Sequence, residues 1–239
     1  MSYGRIGVIG AMDSELAALI AALAQPARET VQGLTFHTGR LGAREVVLVR
    51  CGIGKVSAAR CTQVLIDRFA PAAVINTGIA GGLASGLAVG DIVVADGLVQ
   101  HDFDAAPIGF VRGCLCMGDP GAPTVFTPDE PLSALLARTA GDAAGAQRVH
   151  RGLIATGDQF ISGAAAKAAL RRAFPSAMAA EMEGGAVAQA ASMSGVPFAV
   201  VRAISDLADG TAAASFEQFE QHAADISAAA VLQALALLD

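Results

Sequence analysis

The sequence predicts an α/β fold: one domain over residues 1–239, with a mixed, mostly parallel central sheet flanked by helices in three layers. Two observations carry that prediction. Strand-like apolar runs alternate with segments of helical period along the whole chain. Several of those runs, among them Ala73 to Ile75 and Phe198 to Ile204, are almost continuously apolar, as strands covered on both faces must be. The composition agrees. With 54% hydrophobic and 16% charged residues and a mean hydropathy of +0.52, the chain is too apolar to remain unfolded. A chain of this length buries roughly 70–75% of the surface its unfolded form exposes, so it needs no metal or disulfide to be stable.

The elements follow in order. A strand over Arg5–Ile9 meets a turn at Gly10 and a helix over Asp13–Ala24, on which Leu16, Leu19, Ile20 and Leu23 recur at helical spacing. Leu34–Thr38 and Glu45–Val49 read as a hairpin turning through Gly39 and Gly42. A second glycine turn, Gly52-Ile53-Gly54, leads into a helix from Lys55 to Phe69 and then the strand ending at Ile75. Strands are expected at Asp91–Ala95 and Gly97–His101, followed by an irregular Pro- and Gly-rich excursion over Ala105–Pro131. Order returns with strands at Arg151–Thr156, Met178–Met182 and Phe198–Ile204, helices at Ala164–Phe174 and Gly184–Met193, and a final Ala-rich helix. No linker or repeat divides the chain.

Several function classes are excluded by the same reading. One long uncharged segment, Gly184–Val201, contains Gln189, Ser192, Ser194, Gly195 and Pro197, a poor sequence for about twenty residues of lipid-facing helix. The N-terminal apolar run ends at Asp13 and Glu15 without a cleavage site, so the expectation is a cytoplasmic protein with no leader. Cys51, Cys61, Cys114 and Cys116 lack the paired spacing of a zinc site and read as reduced thiols, so no metal is expected. The net charge of −6, with scattered arginines, leaves no basic stripe for nucleic acid.

In folds of this kind ligands bind beyond the C-terminal ends of the strands. Polar or glycine-rich residues fall there in four places: Gly10–Glu15, Thr77–Gly82, Glu181–Glu183 and Ser205-Asp206. Neither a G-x-G-x-x-G turn after the first strand nor a P-loop lysine is present, which argues against a dinucleotide site or an NTPase. Taken alone, Glu15 reads as a solvated residue matched to the helix dipole. Glu181 and Glu183 end an apolar strand, on one side if extended, where paired carboxylates suit a diol. Capping of the next helix is the structural alternative. Asp206 closes the most apolar strand, where desolvation would raise its pKa toward that of a general acid, unless it merely shapes the turn before Asp209-Gly210. Arg202 is either buried against a carboxylate or an edge residue facing water. Gly78, Gly81 and Gly82 would let backbone approach a flat ligand, or simply serve sharp turns.

Eight motifs in order resemble the 5′-methylthioadenosine/S-adenosylhomocysteine nucleosidase family: Gly10–Glu15, Cys51–Val56, Asn76–Gly82, Gly90–Val94, His101-Asp102, Gly157–Ile161, Glu181–Glu183 and Val201–Asp206. The resemblance implies a nucleoside phosphorylase-like fold and hydrolysis of the N-glycosidic bond of a 5′-thio-substituted adenosine, without cofactor, by a homodimer. It implies that Asp206 protonates adenine N7 and Glu15 holds and deprotonates the attacking water. By the same match Glu183 binds the ribose hydroxyls, Met182 packs beneath the sugar, Phe160 stacks on adenine and Ile161 offers it backbone hydrogen bonds. Ser205 supports the acid, Arg202 and Glu181 help orient the water, and Met12, Ala80 and Gly81 complete the substrate-binding set.

The chain departs from the family at Ile79, where a Ser is usual, and at Gly184-Gly185. Ile108 and Phe110 occupy 5′-pocket positions that are usually both aromatic and partly lent by a second subunit. The preferred 5′ substituent is therefore open among methylthioadenosine, adenosylhomocysteine, 5′-deoxyadenosine and aminofutalosine-like nucleosides. Two competing readings are a phosphate-dependent purine nucleoside phosphorylase and a non-catalytic nucleoside-binding protein. A phosphorylase needs arginines or anion-binding backbone where phosphate attacks, whereas Asp13 and Glu15 would repel it.

Overall fold

The computed structural model describes residues 4–115, 118–145 and 148–238. Strands β1 (Ile6–Gly10), β4 (Arg44–Arg50), β5 (Ala73–Gly82) and β10 (Phe198–Asp206) lie side by side and parallel. From β10 the sheet continues through β6 (Ile92–Gln100), β8 (Val149–Thr156) and β9 (Ala177–Glu181), and β9 pairs back onto the end of β5. Five strands thus close a circuit, β5-β10-β6-β8-β9, while β1, β4, β3 (Leu34–Leu41) and β2 (Ala24–Val31) extend as an open wing. The sheet is mixed, as expected, but parallel pairs do not predominate among the described residues. The hairpins β2–β3–β4 and the short β7 (Val125–Phe126) on β6 add antiparallel pairs.

Two-sided burial explains the apolar strands. In β4, Val46 and Leu48 face one core while Val47 and Val49 face another, and β5, β6 and β10 alternate likewise. The first core is closed by α1 (Asp13–Ala21), α3 (Glu130–Ala144) and the long α6 (Ala212–Leu237), the second by α2 (Lys55–Phe69) and α5 (Gly184–Met193). A third, smaller cluster packs Leu170 and Phe174, at the end of α4 (Ala164–Ala173), against Leu83, Val99 and Ala155. No helix among the described residues is long and apolar enough to cross a membrane.

Four differences from the sequence reading have physical causes. The first helix stops at Ala21, and residues 24–31 form the edge strand β2, polar, exposed and interrupted by Pro26. An edge strand tolerates such a proline and needs no apolar alternation, so it left no periodic signal. The hairpin turns at Gly42, whose φ is +61°, whereas Gly39 lies within β3. The two strands expected around residue 96 are one, β6, with a bulge against β8 between Ala95 and Gly97.

Among the described residues the irregular stretch holds a single 3-10 turn, Ala106–Ile108, before β7, but gives way at Glu130 to helix α3, which the reading missed. Pro131 is no breaker there. It sits in the first turn behind the cap Asp129, whose side chain accepts the Leu132 N–H at 2.9 Å. Cys51, Cys61 and Cys114 are free and buried; Cys116 lies outside the described residues.

Candidate active site

An open-mouthed cavity lies beyond the C-terminal ends of β1, β5, β9 and β10, where ligands bind in folds of this kind. Met12, Glu15, Ala80, Gly81, Phe160, Glu181, Met182, Glu183, Ser205 and Asp206 all line it, so ten of the fourteen residues singled out from the sequence converge here. A smaller recess shares Gly81, Phe160 and Asp206 with the cavity and adds Ile161. Arg202, Ile108 and Phe110 line neither.

Glu15 overturns its reading as a solvated helix residue, for it is 4% exposed. Its carboxylate turns back across the start of α1 to accept the N–H groups of Ala11 at 2.6 Å and Met12 at 3.0 Å, and that of Ile79 on β5 at 3.2 Å. Gly78 makes the approach possible, since a Cβ there would stand 2.5 Å from Glu15 Oε1. Burial raises the pKa of Glu15, opposed by Arg202 and by the three N–H donors. The result is a carboxylate of raised basicity held in a fixed orientation. Ile79 donates its N–H to Glu15 and lines the cavity, so an apolar residue stands where the family resemblance leads one to expect a serine.

Asp206 is 1% exposed at the end of β10, where the register against β5 slips between Ile204 and Asp206. Ser205 Oγ donates to Asp206 Oδ2 at 2.9 Å, and the Ala208 N–H donates to Oδ1 at 2.8 Å. Burial raises the pKa of this carboxyl against the opposing pull of those two donors. A Cβ on Gly81 would meet Oδ1 at 3.0 Å, so the glycine gives the acid its place.

Glu181 and Glu183 do not share the edge of an extended strand. Glu181 ends β9, and Glu183 caps α5 with φ −132° and ψ −40°. Glu181 Oε2 accepts the N–H groups of Glu183 at 3.1 Å and Gly184 at 2.7 Å, and pairs with Arg202 Nη2 at 2.5 Å; Oε1 takes the Thr156 hydroxyl. The capping alternative therefore describes Glu181, although the residue also borders the cavity. Glu183 instead accepts the Gly54 N–H at 2.8 Å from the glycine turn before α2. Burial, and then the charge of Glu181, push its pKa up to about 7.

Arg202 is fully buried behind the cavity. Nη1 donates to the carbonyls of Asn76 and Val201, and Nη2 to Asn76 Oδ1 and Glu181. It therefore stands behind the lining and meets the cavity through Glu181. The burial alternative for Arg202 is the one realised.

Phe160, half exposed, meets Phe216 of α6 edge-on with ring centroids 5.7 Å apart. Phe216, Ile53, Ala11 and Ala180 line the cavity without having been singled out. Phe216 had a faint signal, an aromatic at the start of an otherwise Ala-rich helix. Ile53 stood inside the Gly52–Gly54 turn already marked. Among the described residues no cluster of His, Cys, Asp or Glu could hold a metal ion.

Residues 5–236 match the model of the phosphorylase superfamily. The chain is 42% identical to a 5′-methylthioadenosine/S-adenosylhomocysteine nucleosidase of Actinobacillus succinogenes, over 98% of this chain and 100% of that one. Its structure is similar to that of the S-adenosylhomocysteine nucleosidase of Streptococcus pyogenes in complex with 5-methylthiotubericidin, with a TM-score of 0.92 and 40% identity, covering 100% of this chain and 99% of that one. It is also similar to the futalosine hydrolase of Helicobacter pylori, with a TM-score of 0.87 and 32% identity over 97% of each chain.

The raised value of Glu183 makes a signed prediction. Its native pKa of about 7 exceeds the ordinary 4.5, so between those values the native state binds the extra proton and stability falls as pH rises. Thermal melts from pH 4 to 8 should show Glu183→Gln with a flatter profile than the wild type and a higher Tm at pH 8. Parallel profiles for the two proteins would contradict the shift.

Proposed function

The chain belongs to the phosphorylase superfamily and, within it, to the 5′-methylthioadenosine/S-adenosylhomocysteine nucleosidases, and from that membership we propose how its residues divide the work of hydrolysis. The reaction is cleavage of the N-glycosidic bond of methylthioadenosine or adenosylhomocysteine, giving adenine and the 5-thio-substituted ribose. One observation carries the choice of water over phosphate: the cavity is lined by four carboxyls and by no lysine or arginine. Such a lining repels a phosphate dianion and favours positive charge developing on a ribosyl ring.

In this reading Asp206 in its protonated form gives its proton to adenine N7 as the C1′–N9 bond breaks and the electron pair moves into the purine. Water held by Glu15 attacks C1′ and passes its proton to that carboxylate, whose raised pKa suits a base working near neutral pH. Glu183 in its ionised form accepts hydrogen bonds from the ribose 2′ and 3′ hydroxyls, with Met182 beneath the sugar. Adenine occupies the recess of Gly81, Phe160 and Ile161. Ser205 holds the acid, and Arg202 with Glu181 sets the field around the water.

The 5′ substituent would leave past Met12, Ile53 and Phe216. Ile53, Val56 and Ile108 are exposed apolar residues, at 58%, 80% and 73%. We assign them to the contact with a second copy of this chain, which brings the partner's 105–126 segment, with the counterparts of Ile108 and Phe110, to the open mouth. The futalosine hydrolase likeness supports keeping nucleosides with other 5′ groups, aminofutalosine among them, as alternative substrates. A cytoplasmic location fits this chemistry.

The function is tested by chromatographic detection of adenine and sugar from methylthioadenosine, first without phosphate and then with it. Free thioribose in both cases is expected; sugar 1-phosphate formed only with phosphate would make the enzyme a phosphorylase, and tight binding without turnover would make it a binding protein. Asp206→Asn and Glu15→Gln should each fold, bind the nucleoside and lose at least about 100-fold in kcat. Light scattering should give twice the chain mass, and Val56→Glu should halve it and raise KM.

A further inference from the structure

The loop that follows Asp206 is strained and is held by a residue outside the cavity. Ala208 is fully buried with φ +50°, a left-handed conformation that is strained for a non-glycine residue. Lys167, on the first turns of α4, donates from Nζ to the Leu207 carbonyl at 2.7 Å and to the Gly82 carbonyl, at the end of β5, at 2.8 Å. The same helix is tied to the same loop by its cap, where the Gly163 N–H donates to the Asp209 carbonyl at 3.0 Å.

The Leu207 carbonyl and the Ala208 N–H are opposite ends of one planar peptide. An ammonium that fixes the carbonyl on one side therefore aims the N–H on the other, and that N–H is the one bound to Asp206 Oδ1. We propose that Lys167 is a positioning residue for the acid Asp206, acting through the Leu207–Ala208 peptide. The inference rests on the reading of Asp206 as the proton donor to the leaving base. Polarisation of the carbonyl by the ammonium also makes the N–H a stronger donor.

The charged groups facing Asp206 are Asp209 and Lys167, and those facing Lys167 are Asp209, Arg171 and Asp206. Removing the ammonium takes away a nearby cation and loosens an N–H donor, and both changes favour the protonated form of Asp206. Lys167→Met should thus lower kcat about 10–100-fold, leave KM within about threefold, and move the alkaline limb of the kcat–pH profile to higher pH. Lys167→Arg, which can still donate to both carbonyls, should recover most of the rate.

The variants are checked for folding by circular dichroism and melting, with Lys167→Gln replacing the Met variant if that one does not fold. A wild-type kcat with an unmoved alkaline limb would overturn the proposal. So would a loss confined to KM, or a lower kcat with the limb unmoved, which is the mark of a merely structural role. A readout independent of turnover separates this inference from the function it rests on. The pH at which the protonated carboxyl band of Asp206 disappears, in infrared difference spectra against Asp206→Asn, should rise in Lys167→Met even if no nucleoside is hydrolysed. An unchanged pH there would also contradict the positioning role.

Discussion

A guanidinium buried at the centre of the sheet, that of Arg202, ties together the strands that carry the site. It donates across β10 and β5 to Val201 and Asn76 and pairs with Glu181 at the end of β9, while Asn76 in turn donates to the Ile9 carbonyl of β1. A buried charge is costly unless it is fully paired, and a pair such as Arg202–Glu181 adds little net stability by itself. Its consequence is specificity of arrangement. Any slip of β10 against β5 or β9 would strand the guanidinium in an apolar core, so the register that delivers Asp206 to the cavity is fixed from below. Burial works against the charge of Arg202, but Glu181, Glu15 and Glu183 together outweigh it and raise its pKa.

The same low-dielectric surroundings set the chemistry. Glu15, Glu183 and Asp206 all have raised pKa values, with desolvation the leading cause in each. What separates their roles is the donors each receives. Glu15 takes three backbone N–H groups and feels Arg202, all of which favour the anion. Asp206 takes one N–H and a hydroxyl, beside the like charge of Asp209. In the proposed mechanism a base and an acid are thereby drawn from two carboxyls by local wiring, at some cost to stability as the pH rises.

Much of this was legible in the sequence because it depends on strand ends. Continuous apolar runs marked β5 and β10, and of the residues just past them Ile79–Gly81 and Ser205-Asp206 fell in the cavity wall. Gly78 and Gly81 were visible as glycines, but their reason, the room needed by Glu15 and Asp206, is a contact between distant segments that no spacing reveals. The burial of Glu15 was hidden for the same cause: its N–H partner Ile79 lies on another strand. Glu181 and Glu183 were read as one strand edge because the chain's turn between them has no local signature. The edge strand β2 and helix α3 were lost to prolines, Pro26 and Pro131, whose positions a sheet edge and a first helical turn both accept.

The account turns on whether burial keeps Asp206 protonated where an ordinary carboxyl would have ionised. The direct measurement is the titration of the protein labelled with 13C at its aspartate carboxyls, without substrate, followed by NMR in wild type and Asp206→Asn. The account predicts a resonance missing from the variant whose midpoint lies above the ordinary 3.8. A midpoint at or below that value would contradict it, because the resting enzyme would then hold no proton at the place where the base must leave.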